Sequence, residues 1–283
     1  DMALILEEKE QVIKKAGMLE ILNFSESIND IGGLDNLKQW LSSKSEIFGR
    51  LEEAKQFGIE TPKGIIIVGM PGCGKSLTAK ATASLFNVPL LRLDVGKLLG
   101  KYVGESEENL SRAIHLAEAI SPCVLWIDEI EKAFAGVGDG GGGHEVTARL
   151  FGNFLTWLQE KNSSVFVVAT SNDISKLPAE FLRKGRFDEI FFVDFPNGEE
   201  RKKIIELHLK KRDKWSPDID SIKLIKATEG YSGADIEAVI KDTLEKAFLK
   251  NGNEVTTNDL LLEIKDTKPM SVSLKDKISN LQK

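Results

Sequence analysis

Residues 69–76 read Gly69-Met70-Pro71-Gly72-Cys73-Gly74-Lys75-Ser76, the pattern G-x-x-x-x-G-K-[S/T]. Each residue type has a chemical reason to stand there. The glycines let successive backbone N–H groups curl around phosphate oxygens, and the N-terminus of a following helix adds partial positive charge. Lys75 can then reach the outer phosphates, and the Ser76 hydroxyl can ligate Mg2+. An apolar run, 65–68, precedes the loop and a helical pattern begins near Leu77, which is the strand-loop-helix context this chemistry requires. Cys73 fills a free position of the motif. A thiol beside phosphate-binding amides can have a lowered pKa, but a passive small residue is the preferred reading over a redox switch.

A second constellation follows in Cys123-Val124-Leu125-Trp126-Ile127-Asp128-Glu129, an apolar run ending in two adjacent carboxylates. Asp128 suits a metal ligand, and Glu129 suits a group that polarises an attacking water. Two acids after a strand also fit an ordinary helix N-terminus. Paired with the phosphate loop at this separation, they point to catalysis.

These groups must be carried by a scaffold. Five short aliphatic runs, 65–68, 90–93, 123–127, 165–169 and 190–193, recur between helical patterns. Their lack of alternation suits strands buried on both faces, which predicts an α/β P-loop NTPase-type fold with a doubly wound, parallel, five-stranded sheet. After residue 196 strand signals stop and helices are predicted over 199–212, 220–228, 234–249 and 258–265, a smaller C-terminal helical lid. Ser232 with Asp235 predicts a capping box. The expected organisation is an N-terminal helix or linker over 1–23, a nucleotide-binding domain over 24–196, a lid over 197–268 and a tail over 269–283. Apolar positions at helical spacing predict a helix over residues 4–22, interrupted near Gly17. The glycine-rich patch 136–143 reads as a mobile loop.

Composition bounds what remains. The 283 residues, 41% hydrophobic and 29% charged, match a soluble globular chain with an ample core. The apolar runs fall far short of a membrane span. With 38 basic against 44 acidic residues the net charge is -6, the wrong sign for reliance on phosphate-backbone contacts, so nucleic acid is disfavoured as a partner. Two cysteines without paired spacing argue against a disulfide framework or zinc cluster and for a reducing compartment. The start at Asp1 reads as that of a fragment.

Over 24–265 the chain resembles the AAA clade of the AAA+ ATPases. That resemblance implies ATP hydrolysis with Mg2+, a homo-oligomeric ring, usually a hexamer, and a protein substrate. Asp30-Ile31-Gly32-Gly33 is similar to the clade's adenine-pocket turn, which implies nucleotide contacts from Ile31 and Gly32 beside those from Pro71 through Leu77. His208 matches a nucleoside-contacting histidine of the lid. Gly233-Ala234, which the resemblance also implies as nucleotide contacts, stands where many wider AAA+ proteins carry a sensor 2 arginine, so catalysis should lean on Arg183 and Arg186, which match the arginine fingers. Thr170-Ser171-Asn172 matches sensor 1, with Asn172 expected to place the lytic water and Ser171 a rival because the spacing has one extra residue.

Tyr102-Val103-Gly104 matches the first pore loop, which implies that Tyr102 and Val103 grip an extended polypeptide. Three stretches, 90–96, 122–130 and 182–192, look most like a group of AAA ATPases encoded in plastid and cyanobacterial genomes, implying the cytoplasm or a plastid stroma. A threading motor is the leading expectation. The alternative is a nucleotide-controlled assembly switch or nucleic-acid loader that threads nothing.

Overall fold

The computed structural model describes residues 13, 17–98, 105–134, 143–250 and 254–273. All five predicted runs form strands: β2 (Gly64–Gly69), β3 (Leu90–Leu93), β4 (Cys123–Ile127), β5 (Val165–Ser171) and β6 (Glu189–Val193). A sixth joins them. Residues 19–22, expected within a helix, instead form β1 (Leu19–Leu22), antiparallel to β3 with Glu20 opposite Arg92. The Arg92 guanidinium meets the Glu20 carboxylate at 2.5 Å across that pair. Gly17, at φ +73°, lies just before β1, in a backbone conformation that suits glycine and ends the helical pattern.

The sheet order is β1-β3-β4-β5-β2-β6, with parallel pairing from β3 through β4 and β5 to β2. Every residue of β4 and β5 is buried, as expected for strands covered on both faces. On one face Ile66, Val68, Leu125, Ile127, Val167 and Ala169 pack with helices α5 (Glu105–Ile120) and α6 (Gly143–Glu160). On the other, Phe166 meets Trp40 and Phe48 of α1 (Asp35–Gly49) and Phe86 of α3 (Lys75–Phe86), with ring centroids 4.9 to 6.5 Å apart. The short helices α2 (Leu51–Gln56) and α4 (Val95–Leu98) fill connections. Burying such aromatics removes a large apolar area from water and fixes the strands that end at the chemistry.

The described residues pack as two units. A sheet unit takes those of Asp1–Ile28, Asn36–Gly69 and Ser76–Phe192, and a helical unit takes those of Asn29–Asp35, Met70–Lys75 and Val193–Lys283. The helical unit is built on α7 (Gly198–Lys210), α8 (Ser221–Ala227), α9 (Gly233–Leu249) and α10 (Thr257–Asp266), each within about two residues of its predicted span. Capping boxes start three of them: Asn197 with Glu200, Ser232 with Asp235, and Thr256 with Asp259. Each box satisfies backbone donors that a helix start leaves open, an effect of about 1 kcal/mol. A second core of Ile204, Ile205, Leu209, Leu224, Ile236, Val239, Ile240 and Leu260 closes this unit.

Candidate active site

In the sheet unit the acidic pair stands at the carboxyl end of β4, beside the carboxyl end of β5. Thr170, on β5 and almost wholly buried, links the two. Its hydroxyl donates to Asp128 Oδ1 at 2.6 Å and accepts the Glu129 N–H at 3.2 Å and the Trp126 indole N–H at 3.5 Å. One proton and two lone pairs are thereby all used. Thr170 engages one carboxylate oxygen of Asp128, and no described residue engages the second.

Glu129 stands at φ +48°, a left-handed conformation that a residue with a side chain enters at a cost of roughly 1 kcal/mol. There its carboxylate accepts from Asn172 Nδ2 at 3.0 Å and pairs with the ammonium of Lys132. Asn172 is held in turn by its own N–H, which donates to Glu131 Oε1 at 3.0 Å. Glu131 is buried, and its Oε2 has no hydrogen-bond partner among the described residues. Ser171 faces inward and bonds Asp173, its Oγ lying 3.2 Å from both the carbonyl and the N–H. Of the two sensor candidates, only Asn172 meets the Glu129 carboxylate.

The helical unit gathers the loop and the predicted nucleoside contacts. Gly72 and Gly74 take φ of +74° and +89°, which glycine adopts without strain. The Gly72 carbonyl accepts the Ala234 N–H at 3.0 Å, and a Cβ on Gly72 would stand 2.8 Å from Ser232 Oγ and 3.0 Å from Ala234 Cβ. A Cβ on Gly32 would meet Ile204 at 2.5 Å, so the turn carrying Ile31 and Gly32 lies hard against α7. Lys75 is buried and donates to the Met70 carbonyl at 2.8 Å. Pro71 is half-buried. Of the two readings of Cys73, the structure agrees with the preferred one, a passive small residue, and not with a lowered pKa. Burial pushes the thiol up to about 12, opposed only in part by Lys75, and its Sγ lies 3.7 Å from the Pro71 carbonyl. A buried thiol of this kind is inert packing.

His208 on α7 is largely buried, which lowers its pKa; Glu237 opposes that shift and Arg212 adds to it. Arg212 Nη1 lies 3.1 Å from His208 Nδ1, and its Nη2 pairs with Glu237 Oε1 at 3.1 Å. A guanidinium can only donate, so Nδ1 accepts and the neutral ring carries its proton on Nε2.

In the sheet unit Ser76 is exposed and Leu77 half-buried at the start of α3. Arg183 is exposed, and Arg186 is half-buried with its guanidinium on the Glu180 carbonyl. Tyr102, Val103 and glycines 136–142 lie outside the described residues. Sequence reasoning missed four positions: Thr170 as a linking hydroxyl, Glu131 as the carboxylate behind Asn172, Lys132 on Glu129, and Arg212 on His208. Only Glu131, a third acid close behind the first two, carries a local signal.

A parallel-dominated sheet with a glycine-rich phosphate loop after β2 and paired carboxylates after β4 places the fold in the P-loop α/β class. Two family profiles narrow this. One, the ATPase family associated with various cellular activities (AAA), matches residues 65–195, and the AAA+ lid domain matches 218–262, together more than half of the chain. The chain belongs to the AAA family. It is 47% identical over 285 residues to an uncharacterized AAA domain-containing protein, ycf46, of Pyropia yezoensis, covering 99% of this chain and 56% of that protein. A cell division cycle protein 48 homolog of Archaeoglobus fulgidus is 34% identical over 81% of this chain and 32% of its own length. An ATP-dependent zinc metalloprotease, FtsH, of a Synechococcus strain is 30% identical over 83% of this chain and 37% of its own length. The chain thus spans about half, or less, of the curated relatives it matches. No helix among the described residues is long and apolar enough to cross a membrane.

Proposed function

We propose that this chain is an ATPase protomer of a homo-oligomeric ring that remodels protein substrates. The carrying observation is the Glu129 carboxylate, aimed by Asn172 Nδ2 at 3.0 Å and set apart from Asp128 by the Thr170 hydroxyl. Two adjacent carboxylates are thereby given different tasks. Glu129 takes a proton from water as that oxygen bonds to the γ-phosphorus; the bridging bond to the β-phosphate breaks, and ADP and phosphate leave. The glycine loop and Lys75 bind the phosphates, while Ile31, Gly32 and the Nε2–H of His208 receive the nucleoside. Asp128, with one oxygen unengaged, and the exposed Ser76 hydroxyl fit Mg2+ and would hold it. The bound ion supplies charge neutralisation on the phosphate oxygens.

Arg183 and Arg186 would serve a neighbouring protomer, their exposed segment supporting that role. Tyr102 and Val103 would grip the polypeptide, a part of the reading that rests on the motif and is supported by a relative named as an ATP-dependent protease. The cytoplasm or a plastid stroma suits two buried cysteines that are not in disulfides.

The decisive experiment is Glu129→Gln. Turnover should fall about 10²- to 10⁴-fold while Mg-ATP affinity, read by titration, stays intact. Retained turnover would remove Glu129 as the base. Arg186→Ala subunits mixed into wild type should depress activity beyond dilution, whereas strictly proportional activity would place the finger in its own subunit.

A further inference from the structure

The Glu129 carboxylate has both oxygens engaged: Oε1 by Asn172 Nδ2 and Oε2 by Lys132 Nζ, three residues along the 3-10 turn Ile130–Phe134. The two partners differ in kind. Asn172 is itself anchored, since its N–H donates to buried Glu131, and the Glu129 backbone is anchored by Thr170. Three contacts therefore place the base without Lys132. The lysine is anchored by nothing comparable; its side chain is 67% exposed. An ammonium on a general base also opposes the base's task. It occupies Oε2 of the carboxylate that must meet the water, so that oxygen is not open to receive a proton while the pair holds. The pair in turn holds the Lys132 ammonium above its ordinary pKa, Glu129 being the cause.

We propose that Lys132 is a brake on Glu129: a positioning residue whose ion pair occupies the base at rest and must swing away for each turnover. The wide exposure of Lys132 leaves it within reach of any acidic side chain that could draw it off, so contact with an anionic partner surface would release the base. This inference rests on Glu129 being the base, and its strength is set by solvent. A pair this exposed belongs to the weak class, so the brake amounts to a ~2- to 5-fold effect on rate.

Basal ATPase of the full chain, measured for wild type, Lys132→Met, Lys132→Arg and Glu129→Gln at low and at about 0.5 M salt, tests it. At low salt Lys132→Met should raise kcat ~2- to 5-fold with KM for ATP unchanged, and Lys132→Arg should match wild type. At high salt, where screening shrinks to a few ångströms, the ratio of Lys132→Met to wild type should approach one. A merely structural lysine would not give a faster enzyme with that salt dependence. If Lys132→Met is no faster than wild type at low salt, or its gain persists at high salt, the brake is refuted. If Glu129→Gln still turns over, the base assignment falls and the brake with it. If Glu129→Gln is inactive while Lys132→Met is not faster, the brake alone falls. Circular dichroism and ATP titration of Lys132→Met should match wild type, as expected for a residue this exposed.

Discussion

The sheet unit sets its acidic residues through side-chain hydrogen bonds, whereas the helical unit sets its loop through the close approach of backbones. In the first, one hydroxyl, Thr170, holds Asp128 and the backbone of Glu129. In the second, Gly72 leaves no room for a methyl group beside Ser232 and Ala234, and Gly32 leaves none beside Ile204. The first arrangement is vulnerable to losing an oxygen atom and the second to gaining a carbon. Each unit also holds a titrating group whose pKa burial lowers: Lys161, buried in the sheet unit with its ammonium on the Pro62 carbonyl, and His208, largely buried in the helical unit.

That contrast can be broken by experiment. Thr170→Val keeps the volume and removes the hydroxyl, so it should lower kcat about 10- to 100-fold, the scale of a lost hydrogen bond to a charged group. ATP affinity should hold, and Thr170→Ser should restore the rate. A kcat within twofold of wild type would remove Thr170 from the site.

Lys161 tests the sheet unit without touching chemistry. Burial lowers its pKa to about 8 from an ordinary value of 10.5. Between those values the unfolded chain binds the extra proton, so stability rises with pH; below about 8 the penalty is fully present. Wild type should therefore gain about 2 kcal/mol relative to Lys161→Met between pH 8 and pH 10, read by chemical denaturation. Parallel curves would show a solvated lysine.

Gly72→Ala should weaken ATP affinity about tenfold, through a left-handed backbone and a crowded Cβ, with less change in kcat. An effect mainly on kcat would erase the distinction between the units. Arg212→Met should have the smallest effect. Losing the guanidinium raises the His208 pKa toward its ordinary value, and the added proton sits on Nδ1 and leaves the Nε2–H donor on a cationic ring, so affinity for ATP should rise about twofold more than in wild type from pH 7 to pH 6. Identical pH curves would separate Arg212 from the ring.

Legibility followed the range of the determining forces. The helices of the helical unit could be read closely because Asn197, Asp220, Ser232 and Thr256 cap them locally, each side chain bonding a backbone N–H three residues on. The phosphate loop was legible for the same reason. β1 was not: Leu-Glu-Ile-Leu is too short to distinguish strand from helix, and pairing with β3, some seventy residues away in sequence, decides it. Thr170 was named as part of a motif, but its bonds to Asp128 and Glu129 join strands more than forty residues apart. Cys73 was legible as passive packing: its motif position allows an electropositive site, but its burial sets its acidity.

The left-handed backbone of Glu129 carries an evolutionary consequence. Asparagine or glycine would relax there, gaining roughly 1 kcal/mol of folding stability, yet neither could accept a proton from water. A lineage screened only for heat resistance would tend to discard this side chain among the first, so its presence in a chain marks continuing selection for turnover.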